Sequence, residues 1–264
     1  LLELVHDFVA FDGGIKKVCR HNQFFGVKAS QDFVRRQASG IIWHTQGSGK
    51  SLAMVMLAKA ISLEPRIPDH RIVIVTDRID LDDQIWKTFH RCNKEPERAR
   101  TGNHLIDLIT AKKEITTTVI HKFESAVKKR KLADNSPNIF VLVDESHRTQ
   151  YGSFHSMMHK VFPNACFLGF TGTPIMKKHK NTVAKFGGLI DSYTIDEAVA
   201  DKAVVPLLYE GRHVDQTVNR DAIDTYFDRV CEPLSDYQTT DLKKKFARSD
   251  QIYQTEQRLQ EIAW

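Results

Sequence analysis

The sequence has 264 residues, 41% of them apolar and 27% charged, which is ordinary for a soluble globular protein of one large domain or a domain and a half. Its formal charge of +5 permits a nucleic-acid partner without arguing for one. The four cysteines, Cys19, Cys92, Cys166 and Cys231, stand too far apart for a zinc knuckle or a CxxC redox pair, and no apolar run is long enough to span a bilayer.

Scattered single cysteines and the acid-bearing start "LLELVHDFVAFD", which has no basic lead-in, point to a reducing, cytoplasmic setting. Residues 1–34 read as a helical lead-in, clearest over "IKKVCRHNQFFGVKASQDFV". Strands are then predicted at "GIIWH" (40–44), "RIVIVT" (71–76), "TTTVI" (116–120), "IFVLVD" (139–144) and "ACFLGFT" (165–171). Most are continuous apolar runs, as a parallel sheet covered on both faces requires. Helical patterns at "SLAMVMLAKAI" (51–61) and "LDDQIWKTFH" (81–90) alternate with them. The predicted fold is therefore α/β, a P-loop domain with a mainly parallel sheet flanked by helices over residues 35–212. "PLLYEGR" (206–212) is a candidate last strand, and the basic run in "KKRKLADNS" suits a solvated loop. From residue 213 to 264 the chain turns polar and reads as a helical tail. Since it starts at Leu1 and ends in the helical pattern "YQTEQRLQEIAW", we expect a piece of a longer polypeptide.

Chemistry concentrates at strand ends. "IIWHTQGSGKS" (41–51) joins a buried strand to a helix through Gly47, Ser48, Gly49, Lys50 and Ser51. Glycines there let backbone N–H groups turn inward with no Cβ in the way. With the helix N-terminus they form an anion nest. Lys50 suits the β- and γ-phosphates of a nucleotide, and the Ser51 hydroxyl suits Mg²⁺. The full GxxxxGK[ST] pattern fails at one place, because His44 stands where the first glycine is expected. Downstream, Asp144 and Glu145 end an apolar strand. Asp144 suits Mg²⁺ held through water, and Glu145 suits a general base on the attacking water. The bland alternative is a strand cap and turn. "FLGFTGTPI" (167–175) ends a further strand in Thr171, Gly172, Thr173 and Pro174, hydroxyls placed to link the γ-phosphate side to a moving part. Alone it is also a good turn.

Taken in this order, these stretches resemble the first, RecA-like motor domain of a superfamily 2 helicase or translocase, with "DESH" differing from a DEAH box at Ser146. A finer resemblance is to the restriction (motor) subunit of type I restriction–modification enzymes. It is carried by "HNQFFGVKA" (21–29), "GIIWHTQGSGKSLAMVMLAK" (40–59), "IVIVTDRIDLDDQI" (72–85), "VLVDESHRTQYG" (141–152), "FLGFTGTPI" (167–175) and "DSYTIDEAVADKAVVPLLYEGR" (191–212). The resemblance implies ATP and Mg²⁺ as cofactors, double-stranded DNA as track, and separate methyltransferase and specificity subunits as partners. It implies that His44, Thr45 and Gln46 are a family form of the loop, that Thr45 and Gln46 share in holding the nucleotide, and that Lys50 and Glu145 are catalytic. Gln23 would read the adenine edge; as a bare residue it also suits a solvent-facing helix position. Thr76, Asp77 and Arg78 would help hold the DNA backbone; they also suit a helix N-cap (Asp77 or Asp80) beside a surface arginine. His147, Arg148, Thr171 and Thr173 would couple nucleotide state to motion. His121 departs from the family's usual glutamine. A second motor domain with its arginine fingers and a nuclease domain, both expected in such a subunit, are not recognisable in this sequence. Another superfamily 2 helicase, a type III restriction subunit or a non-hydrolysing nucleotide-binding module are the alternative readings.

Overall fold

The computed structural model describes residues 2–124, 133–144, 151–174, 183, 186–206 and 220–246. The chain divides into two compact units, Leu1–Pro206 and Leu207–Trp264.

The first unit opens with a short helix, α1 (Leu2–Asp7), and a two-stranded antiparallel ribbon, β1 (Val9–Asp12) and β2 (Ile15–Val18). The ribbon corrects the all-helical reading of residues 1–34. Gly13 and Gly14 both take positive φ, 57° and 85°, and this turn folds the two strands together. Helix α2 (His21–Arg35) follows as predicted. Next come β3 (Gly40–His44), α3 (Lys50–Ser62), β4 (Arg71–Thr76), α4 (Ile79–Arg91), β5 (Glu97–Arg98), α5 (Gly102–Thr110), β6 (Ile115–Val119) and β7 (Ile139–Asp144). Then come α6 (Tyr151–Val161), β8 (Cys166–Thr171), β9 (Leu189–Tyr193) and α7 (Ile195–Ala200).

Seven strands form one sheet in the order β5-β6-β4-β7-β8-β3-β9, and every pairing in it is parallel. Successive residues of a strand face opposite sides of a sheet, and the core divides accordingly. Ile42, Ile72, Ile74, Phe140, Leu142, Leu168 and Phe170 pack with Met54, Leu57 and Ile61 of α3 and Ile85 and Phe89 of α4. Ile41, Val73, Val75, Val141, Val143 and Phe167 face the other way, onto Leu105 and Ile109 of α5 and Met158 and Val161 of α6. The sheet is thus RecA-like, with helices on both faces. At the start of the central strand β4, Arg71 donates to both oxygens of Asp134 at 2.5 and 3.1 Å.

The second unit contains α8 (Arg220–Cys231) and α9 (Asp236–Phe246). Lys243 Nζ lies 5.3 Å from the centre of the Phe227 ring. The candidate strand at 206–212 lies, beyond Pro206, outside the described residues. Among the described residues no helix is long and apolar enough to cross a membrane.

Candidate nucleotide site

The register of the sheet assembles the site. Trp43 of β3 pairs with Thr171 of β8, and Phe170 of β8 pairs with Asp144 of β7. Three adjacent strands therefore end together, carrying the Gly-rich loop, the Thr171–Thr173 turn and Asp144. Neighbouring strands lie about 4.8 Å apart, so two strand spacings separate Asp144 from the loop strand.

Within the loop, Gly47 and Gly49 both sit in the left-handed region at φ 82° and 88°, a conformation that a side chain disfavours. Gly49 is the N-cap of α3, and Lys50 is the helix's first residue. Ser48 is fully buried, and its Oγ donates to the Thr45 carbonyl at 2.7 Å. The Thr45 amide is spent on the Tyr193 carbonyl at 2.9 Å. Among the described residues, no partner takes the amides of Gln46, Gly47, Gly49, Lys50 and Ser51. Those five N–H groups, at a helix N-terminus, suit an anion. Lys50 Nζ stands 3.4 Å from the His44 carbonyl. A Cβ placed on Gly172 would lie 3.2 Å from Gln46 N and 3.4 Å from Lys50 Nζ. The loop and the turn after β8 are therefore in close approach. Trp43 Nε1 joins them by donating to the Gly172 carbonyl at 3.2 Å. Thr171 is buried and its Oγ1 accepts from the Thr173 amide at 3.1 Å.

Helix α2 is laced to the same loop. Gln23 is buried, so the solvent-facing alternative fails. Its Nε2 donates to the Gly49 carbonyl at 3.0 Å, and its Oε1 accepts from the Arg20 amide at 2.8 Å. Asn22 Nδ2 donates to the Ser48 carbonyl at 3.4 Å. Sequence reasoning missed Asn22, and it missed the buried ring of His44, whose Nε2 lies 2.7 Å from Asp191 Oδ2 on β9. The only signal was the misfit of a histidine in a glycine position. Beside them the Tyr193 hydroxyl donates to Asp201 Oδ2 at 3.0 Å, and burial together with this carboxylate raises the Tyr193 pKa. His21 Nε2 approaches the same Asp201 oxygen at 3.0 Å.

Asp144 is buried at the end of β7. Glu145, His147 and Arg148 lie outside the described residues. Thr76 ends β4 and Asp77 and Arg78 follow it, with β7 and β8 lying between that strand and β3. Thr76 is buried, with Oγ1 donating to the Arg78 carbonyl at 3.2 Å, while the Arg78 side chain is 59% exposed. Arg78 itself, rather than Asp77 or Asp80, holds the N-cap position of α4, and it makes no side-chain cap bond. Next to it opens a groove of about 1110 Å³ lined by Ile79, Trp86, Arg98, Arg100, His104 and Lys122, among others. Arg98 is held there by Asp82 at 2.6 Å and Asp83 at 3.2 Å. Lys122 donates to the Ala99 carbonyl, and burial lowers its pKa.

The sequence and the fold have counterparts among known proteins. Residues 22–240 match the family model of the SWI2/SNF2 ATPase. The chain belongs to the SWI2/SNF2 ATPase family. Its whole length is 33% identical to the chain named as the MjaIXP type I restriction enzyme endonuclease subunit of Methanocaldococcus jannaschii, of which it covers 27%. It is 30% identical, again over its whole length, to the type I restriction enzyme HindI endonuclease subunit of Haemophilus influenzae, of which it covers 28%. The chain thus spans about a quarter of the length of these relatives. Among solved structures, the Type ISP restriction-modification enzyme LlaBIII bound to DNA matches 70% of this chain and 16% of its own, with a TM-score of 0.54 and 14% identity. The SWI2/SNF2 ATPase core of Sulfolobus solfataricus in complex with double-stranded DNA matches 67% of this chain and 36% of its own, with a TM-score of 0.52 and 13% identity. At those identities the two structures speak for the fold alone, a parallel sheet flanked by helices.

Proposed function

We propose that this chain is the first motor domain of a type I restriction endonuclease subunit, binding and hydrolysing Mg-ATP to drive translocation along double-stranded DNA. The observation that carries the reading is the loop at the end of β3. Two left-handed glycines and a helix N-terminus present five amides without a protein partner among the described residues, beside Lys50. Lys50 would face the outer phosphates, and Ser51 and Asp144 would hold Mg²⁺, whose charge would offset that of the phosphates. Thr45 enters through its carbonyl, which braces Ser48, since its amide is already bonded. Gln23 would have to release Arg20 or Gly49 to read an adenine edge. Its present bonds make it first of all a brace of the loop.

Glu145 would serve as general base, and His147 and Arg148, with Thr171 and Thr173, would pass nucleotide state onward. Trp43 and Gly172 supply a direct tie between the two loops for that purpose. DNA would run past Arg78 and the groove beside it, held by phosphate contacts that carry no sequence information. Sequence choice and methylation would rest with separate specificity and methyltransferase subunits in a cytoplasmic complex. Residues 1–34 would lead into the motor domain at 35–212, and 213–264 would link it to the rest of the polypeptide.

Calorimetry of Mg-ATP binding to the chain and to Lys50→Ala tests the reading. Binding is expected in the first and lost in the second. The fold should be unchanged, because among the described residues Nζ makes one hydrogen bond, to His44 O, and it is long at 3.4 Å. Equal binding by both would overturn the assignment of the loop.

A further inference from the structure

The phosphate loop lacks its first glycine, and the structure shows where the missing room has gone. The His44 side chain is only 1% exposed. A Cβ built on Gly26 of α2 would meet His44 Cε1 at 2.8 Å and Asp191 Oδ2 at 3.1 Å. The glycine has in effect moved from the loop strand to the neighbouring helix, where it is needed for space. The ring fills that space and is held at its far nitrogen by Asp191.

This arrangement bears on the loop's own backbone. The His44 carbonyl lies 3.4 Å from Lys50 Nζ. The next amide, Thr45 N, is pinned to Tyr193 O, two residues beyond Asp191 on the same strand. Asn22 stands one turn before Gly26 on the α2 face turned to the loop, and it holds the Ser48 carbonyl. The loop's first residues are therefore clamped between β9 and α2. Two buried polar atoms flank this clamp without a partner among the described residues, His44 Nδ1 and Asn22 Oδ1. Buried polar atoms left open in this way call for an explanation beyond stability.

We propose that His44 is a positioning residue for nucleotide binding: held by Asp191 and seated in the space left by Gly26, its ring sets the main chain from His44 to Gln46 so that the loop amides and Lys50 converge. The proposal rests on the reading that this loop binds Mg-ATP.

The test is a double-mutant cycle on the full 264-residue chain, with Mg-ATP affinity and melting temperature measured side by side. Gly26→Ala should displace the ring and weaken Mg-ATP about tenfold or more. In a His44→Ala background the same change should cost little, because the new methyl enters vacated space. His44→Gln, whose amide can still donate to Asp191, should bind closer to wild type than His44→Ala does. Should Gly26→Ala fail to fold, that last comparison decides. Costs that add independently, a His44→Gln no better than His44→Ala, or variants that melt earlier yet bind as wild type would reduce the pair to a structural staple and overturn the proposal. Absence of binding by the unaltered chain would instead strike the reading of the loop itself, and the proposal with it.

Discussion

Gly49→Ala isolates what the loop asks of its backbone. The position is left-handed at φ 88° and ψ 36°, and a Cβ there would lie 2.4 Å from Gln23 Nε2. Placing alanine in that conformation costs roughly 1–2 kcal/mol. Gln23 must also retreat, which loses its bond to the Gly49 carbonyl, about 0.5–1.5 kcal/mol net. The expected destabilisation is about 1.5–3.5 kcal/mol by urea denaturation, from the sum of those two effects. In a Gln23→Ala background only the backbone cost should remain, so the two changes should couple by about 1 kcal/mol. Mg-ATP binding should be lost in both backgrounds, since the loop can no longer hold its turn. An identical cost of Gly49→Ala with and without Gln23 would refute the close approach and the brace that it implies.

Three further outcomes follow from other parts of the structure. Gly172 has no left-handed backbone, so Gly172→Val should fold, but its side chain would enter the space beside Gln46 N and Lys50 Nζ and block Mg-ATP; unchanged affinity by calorimetry would contradict the approach of the two loops. At the start of β4, the hydrogen bonds from Arg71 hold the Asp134 carboxyl below its ordinary range, against burial, which raises it. A depressed carboxyl stabilises the fold above its unfolded value, about 4, and the gain is lost as pH falls through the lower folded value. The stability gap between wild type and Asp134→Asn should therefore be full at neutral pH and shrink towards about pH 3; a gap constant across that range would sink this account. Finally, Arg78→Ala should weaken duplex DNA binding at low salt and flatten the plot of log affinity against log salt by about one unit, as expected for one lost phosphate contact. An unchanged slope in fluorescence anisotropy titrations would remove Arg78 from the DNA path.

The strands that were legible in the sequence are those buried on both faces. Gly40–His44, Arg71–Thr76 and Ile139–Asp144 announce themselves as unbroken apolar runs, and the structure has them at those residues. The outer strands carry no such signal. Glu97–Arg98 is two residues long, and Leu189–Tyr193 mixes two apolar residues with Asp191 and Ser192 and is only partly covered. The ribbon at Val9–Val18 hid behind helix-forming lysines, although "DGG" between its strands was a turn signal. The same division runs through the site. Gly47, Gly49 and Lys50 are neighbours in sequence and declare their chemistry together. The ties that hold them cross 26 residues from Gln23 to Gly49 and 147 residues from His44 to Asp191. No local pattern encodes a contact of that range; only the strand order that sets β9 beside β3 brings it about.

That strand order also explains why the loop's neighbours can influence it. The loop strand β3 lies between β8 and β9, and each neighbour reaches the loop in a different manner. From β8 the contact is main chain against the ammonium and amide of the loop, through Gly172, whose carbonyl accepts from Trp43 Nε1. From β9 it is a backbone bond to Thr45 and a 2.7 Å contact between His44 Nε2 and Asp191 Oδ2. The β9 side is doubly tied and further fixed by α2 through Asn22 and Gln23. On the proposed function the loop must keep its shape as nucleotide comes and goes. The doubly tied β9 side would supply that constancy.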